Sequence, residues 1–474
     1  MNFLHHIHKT LRSFPDKKLI YWGEEPGETS TGKALLNRVG SLAGHLKAKK
    51  VSKREKVLLL LPVNSELLSG LLALWTVGAI PVLPPAGSSI WDIAALVRAK
   101  GISKVLMAKP LPFYLKVATQ LAGISILPTE GIETVEHTKL ELEEVPATQA
   151  ALISYSSGST GIAKAIVRTH GVLSAQHQVL AACFPPDSNQ VDFPLFPNIL
   201  LHNLSLATVS VLPAIPGFSL ENLDPAQVVE QIIGQKVTTL TGNFFYFKAI
   251  LSHLQKTDTT LPLVQAIGIG GSPVPEFLCE ALKRYIPRGR LFIIYGSSEA
   301  EPIAIREVTA IQTDVKAGYM VGTIHASIQL RVRAIGTVQS GADEIPVGEI
   351  EVKGAHVATN SGDWLSTGDF GYIKDGGLFL TGRKGNERIH RGIQHYQVEH
   401  FLLHFPNITD AAALSRRDGF DVIFTGTALE EEVKQELENQ FPKGIFIRVK
   451  ASSYIPKDKR HHSKILYSKL KNEV

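Results

Sequence analysis

Cysteine is almost missing from this chain. Its 474 residues include only two, Cys183 and Cys279, each in an apolar neighbourhood. No disulfide framework and no cysteine-based zinc site can be built from them, which suits a reducing compartment. Charge of one sign is scarce too: 49 Lys and Arg face 44 Asp and Glu, a formal net charge of +5. Much of that excess lies between Lys450 and Lys471, so it makes no general nucleic-acid footprint. Long hydrophobic runs are absent. The nearest, Leu67 to Leu83, is broken by Gly70, Gly78 and Pro81 and is too short to cross a bilayer. It reads as a buried helix running into a buried strand, with no transmembrane segment. The opening Met1-Asn2-Phe3-Leu4-His5-His6-Ile7-His8 lacks the charged-then-apolar build of a signal peptide, so a cytoplasmic location is expected. There are no internal repeats or low-complexity tracts.

What is present is the composition of a globular protein, 44% hydrophobic and 20% charged. The length calls for two or more lobes. Apolar runs such as Val57-Leu58-Leu59-Leu60-Leu61 and Lys104-Val105-Leu106-Met107 alternate with amphipathic stretches of helix length, Thr31 to Lys49, Glu66 to Val77 and Ser89 to Ala99. That rhythm predicts parallel strands covered by helices on both faces. It resumes from Asp224 to Ile294. From Gly318 to Phe379 short alternating strands and Gly-rich turns predict a small antiparallel or barrel-like unit. The last stretch predicts a compact α+β module with helices at Gln397 to His404 and Glu430 to Gln440.

Between the strand-like runs Ala150-Ala151-Leu152-Ile153 and Ala165-Ile166-Val167 lies Ser154-Tyr155-Ser156-Ser157-Gly158-Ser159-Thr160-Gly161-Ile162-Ala163-Lys164. Glycines let the backbone approach a ligand, backbone amides and hydroxyls can wrap an anion, and a lysine adds a point charge. A polar surface hairpin is the alternative. The Walker A order, with Gly-Lys-Ser/Thr opening a helix, is not present. Gly270-Gly271-Ser272-Pro273 and Tyr295-Gly296-Ser297-Ser298-Glu299 each follow an apolar strand, where α/β proteins bind ligands. Asp369, in Ser366-Thr367-Gly368-Asp369, and Arg383, after Gly382, supply a carboxylate and a guanidinium that suit a pair of hydroxyls, or a structural salt bridge. The tail carries Pro456-Lys457-Asp458-Lys459-Arg460-His461-His462-Ser463-Lys464-Ile465, a solvated basic tail or a docked one.

Taken in order, these five segments resemble the phosphate loop, the G-G-x-P and Y-G-x-T-E turns, the T-G-D and G-R pair, and the terminal P-K-x-x-x-G-K element of the adenylate-forming superfamily, which includes acyl-CoA synthetases. Ala163, Ala165 and Ser463 depart from its usual Pro, Gly and Gly. The resemblance implies an α/β fold: a large N-terminal domain of stacked α/β subdomains with a small barrel-like β unit over residues 1–384, then a small mobile α+β C-terminal domain over 385–474. It implies nucleotide contacts from Ser156, Ser157, Gly158, Ser159, Thr160, Gly161, Lys164, Gly270, Gly271, Ser272, Tyr295 and Gly296. Asp369 and Arg383 would hold the ribose. It gives Glu299 a Mg²⁺ ligand's role, Ser298 a phosphate or carboxylate contact, Lys464 the adenylation step, and Lys384 and Gly385 the hinge.

The implied activity is ATP-dependent activation of a hydrophobic, fatty acid as acyl-AMP with release of pyrophosphate. Transfer to a thiol of CoA or of an acyl carrier protein would follow. ATP, Mg²⁺ and CoA are the implied cofactors, and a small carboxylic acid the substrate. Phe193-Pro194-Leu195-Phe196 and Ala300-Glu301-Pro302 look similar to the β-lactone synthetases of olefin biosynthesis, which makes ring closure of a β-hydroxy acid the alternative. A non-catalytic nucleotide-binding relative is the third reading, disfavoured by the joint presence of Glu299, Asp369, Arg383 and Lys464. The acyl group would lie against Phe193 to Asn203, with Asn243-Phe244-Phe245 as further wall. Gln394-His395-Tyr396 and the basic Arg388, His390 and Arg391 would flank thiol access.

Overall fold

A computed structural model describes every residue except 1, 24–26, 86, 113–118, 157–163, 219, 342, 360–363, 406, 459–463 and 474, and the side chains of Ser156, Pro197, Asn472 and Glu473. The chain forms two compact units, Met1–Leu240 with Ala358–Asn360, and Thr241–Val357 with Ser361–Val474.

In the first unit a six-stranded sheet runs in the order Ser125–Pro128, Lys104–Met107, Lys56–Leu60, Ile80–Val82, Ala150–Ser156, Lys164–Thr169. Every pairing is parallel except the last, an antiparallel hairpin. The continuous apolar runs and intervening helices of the sequence are this sheet, since a strand covered on both faces has no polar face to alternate. Helix starts are where local chemistry puts them: Thr31 accepts from the Ala34 amide, Asn64 from Glu66, and Ser89 with Asp92 closes a capping box. The run Leu67 to Leu83 resolves into the helix Ser65–Thr76 and the strand Ile80–Val82. Trp75 on that helix is fully buried, and its indole N–H donates to Ala151 O at 2.6 Å. Burial of a side chain of that size contributes about 3 kcal/mol, provided the indole keeps its acceptor. Val191–Pro194, Val209–Val211, Lys18–Tyr21 and Thr29–Thr31 pair in that order beside it.

The second unit is built on strands Ala266–Gly270 and Arg290–Ser297, which are parallel. Helices Phe244–Thr257 and Glu276–Tyr285 belong to this part. Ala300–Glu307 turns back antiparallel, and Tyr319–Ile324, Gly377–Arg383, Leu365–Lys374, Asp343–Lys353 and Gln329–Ser340 add on in series. The expected antiparallel strands of residues 318–379 thus extend the same sheet as an open run. A three-stranded sheet of Ile408–Ser415, Phe420–Gly426 and Phe446–Ala451 follows. Helices His395–Leu402, Glu430–Gln440 and Tyr467–Glu473 accompany it. Its core is Val398, Leu402, Phe420, Val422, Phe424, Val433 and Leu437, all buried. The boundary expected after Lys384 falls inside this second unit. No helix among the described residues is long and apolar enough to cross a membrane.

Candidate active site

Parallel strands end in loops on one side of a sheet, and the second unit places several of the expected residues there. Gly270 ends its strand so close to the neighbouring one that a Cβ would meet Ile294 O at 2.7 Å, so no larger residue fits without displacing backbone. Beside it, Ser272 Oγ is buried with no hydrogen-bond partner among the described residues. An orphaned buried hydroxyl is costly and calls for a ligand or water to satisfy it.

Tyr295 stands near the end of the next strand. Its hydroxyl donates to Asp369 Oδ2 at 2.9 Å, and Arg383 Nη1 donates to Asp369 Oδ1. Asp369 and Arg383 are directly opposite in the pairing of Leu365–Lys374 with Gly377–Arg383. A cross-strand register therefore, rather than a loop, sets the spacing between them. Asp369 is buried, and its amide donates to Thr367 Oγ1 at 3.1 Å. Asp369 holds the guanidinium well above its ordinary pKa against the opposing effect of burial. Burial first, then the Asp369 charge, keeps the Tyr295 phenol far above its own. Arg383 therefore stays cationic and Tyr295 a neutral donor.

Ser297 pairs with Ala300, which leaves Ser298 and Glu299 in the tight turn between them, both half-buried. The Glu299 amide donates to Ser297 Oγ at 3.3 Å. Lys464 reaches the same neighbourhood from the far end of the chain. Its backbone is clamped by Asp458: the Lys464 N–H donates to Asp458 Oδ1 at 2.7 Å, and the Asp458 N–H donates to Lys464 O at 2.9 Å. Lys464 keeps open surface, yet protein crowded around its ammonium is the largest influence on its pKa and lowers it. Arg383 lowers it further, while Asp369, Asp458 and Glu299 oppose. Asp369, Arg383, Glu299 and Lys464, scattered over the sequence, thus share one electrostatic field.

Lys384 lies 3.5 Å from Glu349 Oε1. Gly385 has φ +94° with nothing near a notional Cβ, a backbone only glycine adopts without strain. In the first unit, Ser156 and Lys164 face each other as the last pair of the hairpin that bounds the polar loop. Ser157, Gly158, Ser159, Thr160 and Gly161 lie outside the described residues.

The apolar segment expected to wall the acyl group is deeply set: Phe193, Leu195 and Leu200 are buried. Asp192 just before it is buried and accepts from Thr239 at 2.6 Å and Asn203 at 2.8 Å, so both its oxygens are engaged. His202 faces His177 with 3.0 Å between Nδ1 atoms, and burial lowers its pKa to about 3. Of the other wall, Phe245 is covered on its face by the Lys457 ammonium, 3.7 Å from the ring centroid, and Lys457 pairs with Asp410. Gln394, His395 and Tyr396, read from the sequence as flanking thiol access, are buried. The helix His395–Leu402 turns its polar side chains inward. Arg388 and Arg391 are exposed.

Sequence reasoning missed three features. These are the Tyr295–Asp369 bond, the Lys457–Asp410–Phe245 contact, and a buried His395–Glu399–Tyr467 cluster. The first two join residues far apart in the chain, with no local signature. In the third, only the i,i+4 spacing of His395 and Glu399 was visible.

Comparison with known proteins follows the same lines. The family described as AMP-binding enzyme matches residues 7–360. An olefin β-lactone synthetase of Stenotrophomonas maltophilia is 31% identical over 210 residues, 42% of this chain. The chain spans only 37% of that relative's length. A 2-succinylbenzoate–CoA ligase of Bacillus cereus is 26% identical over 459 residues, covering 90% of both chains. Among solved structures, an O-succinylbenzoate CoA synthetase of Bacillus subtilis in complex with ATP and magnesium superposes with TM-score 0.79 at 19% identity, over 99% of each chain. That likeness shows the fold, which is the one adenylate-forming enzymes share. With three quarters of its length matched by the family, this chain belongs to the AMP-binding enzymes.

Proposed function

We propose that this chain is an ATP-dependent carboxylic acid ligase that makes acyl-AMP, releases pyrophosphate, and transfers the acyl group to a thiol. The observation that carries the reading is the shared field of Asp369, Arg383, Glu299 and Lys464. A free carboxylate is a poor acyl donor because its leaving group would be oxide. Attack of a carboxylate oxygen on the α-phosphorus of ATP breaks the bond to the β-phosphate bridge and forms a mixed anhydride with AMP. There is little bond-making for side chains to do, so the protein's part is to position and to neutralise.

Asp369 accepts from the ribose hydroxyls while Arg383 and Tyr295 hold it in place. Gly270, Gly271 and Ser272 lie against the base, with the Ser272 hydroxyl as an unspent hydrogen-bonding group. The likeness of its sequence to a phosphate loop gives the segment from Ser156 to Gly161, with Lys164, the role of binding the phosphates. Lys464, whose ammonium the carboxylates of Asp369, Asp458 and Glu299 favour against the opposing effect of burial, neutralises charge gathering between the acid and the α-phosphate. Among the described residues no group of three metal-ligating side chains occurs. A Mg²⁺ brought in with ATP would need only one or two protein carboxylates. Glu299, next to Ser298, would hold it, and when bound it offsets the charge on the departing pyrophosphate.

In the second step a thiol, with CoA as the candidate, loses its proton and attacks the acyl carbon, and AMP departs. Residues 385–474 would swing about Lys384 and Gly385 between the steps, withdrawing Lys464. The apolar surroundings of Phe193 to Asn203 support a hydrophobic, fatty acid. Sequence similarity to a β-lactone synthetase favours a second reading, in which a β-hydroxyl of the same acyl-AMP closes on the acyl carbon.

A panel of aromatic, fatty and β-hydroxy fatty acids, assayed by ATP–pyrophosphate exchange and then with and without CoA, separates these. Exchange with a hydrophobic acid and thioester only with CoA is expected. Product from the hydroxy acid alone, at equal rate without thiol, rejects the thioester reading. No exchange with any acid rejects the ligase.

A further inference from the structure

We propose that His395 is a positioning residue: it ties the backbone of Arg383 to the segment carrying Lys464, across residues 384–385, and so sets the arrangement in which acyl-AMP is made. The inference rests on the ligase reading above.

The chain of contacts is continuous and buried. The Arg383 N–H donates to His395 Nε2 at 2.8 Å. That bond needs a lone pair on Nε2, which leaves the ring proton of a neutral imidazole on Nδ1. Nδ1 faces Glu399 Oε1 at 3.1 Å and the Tyr467 hydroxyl at 3.0 Å. The Tyr467 hydroxyl donates to the same Glu399 oxygen at 2.8 Å, and the Ala413 N–H donates to it at 2.9 Å. His395 is 0%, Glu399 3% and Tyr467 8% exposed, so none of these groups has ready access to water as a substitute partner. Each is costly to strand.

Tyr467 opens the final helix, Tyr467–Glu473, just after Lys464 and Ile465. It packs with Leu470, Ile455, Ala412 and Leu414, and Ile465 packs against that cluster. Ile465 in turn bridges Lys457, and Asp458 clamps the Lys464 backbone from both directions. A rigid path therefore runs from the amide of the proposed ribose arginine to the backbone of the proposed adenylation lysine. A displacement of about 1 Å at a reacting group costs on the order of a hundredfold in rate, so such a path has a use beyond stability.

The bonds differ in where they fall. Those among His395, Glu399, Tyr467 and Ala413 lie wholly beyond residue 385 and would travel with the module. The bond from Arg383 to His395 crosses 384–385 and breaks when the module swings. Loss of the His395 acceptor is thus felt in the adenylation arrangement and nowhere in the thiol-transfer one. A merely structural histidine has no reason to separate the two.

The test uses the full chain with His395→Leu, which keeps bulk without an acceptor, His395→Gln, which returns an oxygen near the Nε2 position, and Tyr467→Phe. Three quantities are read: ATP–pyrophosphate exchange with the best acid of the panel, consumption of its preformed acyl-AMP with CoA, and amide hydrogen exchange over residues 377–388 and 464–470. For His395→Leu the exchange kcat falls at least tenfold with KM for ATP within about threefold, while acyl-AMP consumption is unchanged or faster. Both segments exchange hydrogen faster. His395→Gln recovers most of the loss, and Tyr467→Phe shows the same split at smaller size. Equal loss in both half-reactions, no recovery with Gln, or unchanged hydrogen exchange at Arg383 overturns the proposal. If the wild type activates no acid, the ligase reading falls and hydrogen exchange alone decides the positioning.

Discussion

Replacing Asp369 with Ala removes the group on which two others depend. The Tyr295 hydroxyl loses its acceptor in a buried setting, at about 1–3 kcal/mol. Arg383 loses its counter-charge; stranding one member of a fully buried pair costs about 3–5 kcal/mol. With 28% of the Arg383 side chain exposed, water takes over part of that duty, and the combined loss is about 3 kcal/mol. In a unit of this size about 1 kcal/mol shifts Tm by ~2–4 °C, so Asp369→Ala melts roughly 6–12 °C early. Tyr295→Phe keeps the ring and leaves Asp369 to Arg383, so it costs only about 1 kcal/mol. The double variant is then sub-additive, with a coupling of about 1 kcal/mol, because the hydroxyl has no carboxylate to donate to once Asp369 is gone. Urea and thermal denaturation of the ligand-free protein measure all three. Adding ATP raises Tm in the wild type and in Tyr295→Phe, and not in Asp369→Ala. An Asp369→Ala protein that melts with the wild type, or strict additivity in the double variant, would falsify the assignment of Asp369 as the shared acceptor.

Lys464→Ala abolishes pyrophosphate exchange while ATP affinity stays within a few-fold, as measured by exchange and by nucleotide titration; a normal exchange rate removes the lysine from the step. Because burial lowers the Lys464 pKa below 10.5, exchange declines as pH rises through that lowered value, and Lys464→Arg flattens the alkaline limb; a limb unchanged in the arginine variant assigns it to another group. Glu299→Gln leaves Tm within a few degrees and cuts exchange by orders of magnitude, since a ligand to phosphate-bound Mg²⁺ is commonly worth several kcal/mol; unaltered Mg²⁺ dependence places the metal elsewhere. His170, His177 and His202 are held by burial near pKa 4, 4 and 3. Their folded values lie below the unfolded one, so the stability they give is full above about pH 6.5 and is lost as pH falls towards 4. The urea midpoint therefore drops between pH 7 and pH 5, and a constant midpoint refutes the burial of these rings.

Much of the fold was legible because it is written in local patterns. Continuous apolar runs between amphipathic stretches can be satisfied only by strands covered on both faces, and the sheet around Lys56–Leu60 is that arrangement. Caps at Thr31, Asn64 and Ser89 are local hydrogen bonds and could be read residue by residue. The candidate residues Gly271, Glu299, Asp369, Arg383 and Lys464 could be named from the sequence because they stand in segments whose order resembles a known family.

What no local pattern encodes is which side chains meet. The register that sets Asp369 opposite Arg383 depends on how two strands pair, and the Tyr295 bond to Asp369 on how two hairpins lie along one sheet. Gln394, His395 and Tyr396 look like surface residues in the sequence, being polar or amphipathic, yet they are buried. A polar side chain can be buried only when every partner is supplied, and those partners are the Arg383 amide and Thr381 hydroxyl of the preceding strand, Glu399 one turn along the same helix, and Tyr467 from the far end of the chain. Local chemistry determined where strands, turns and reactive groups would be; long-range pairing alone decided which of those groups could act together.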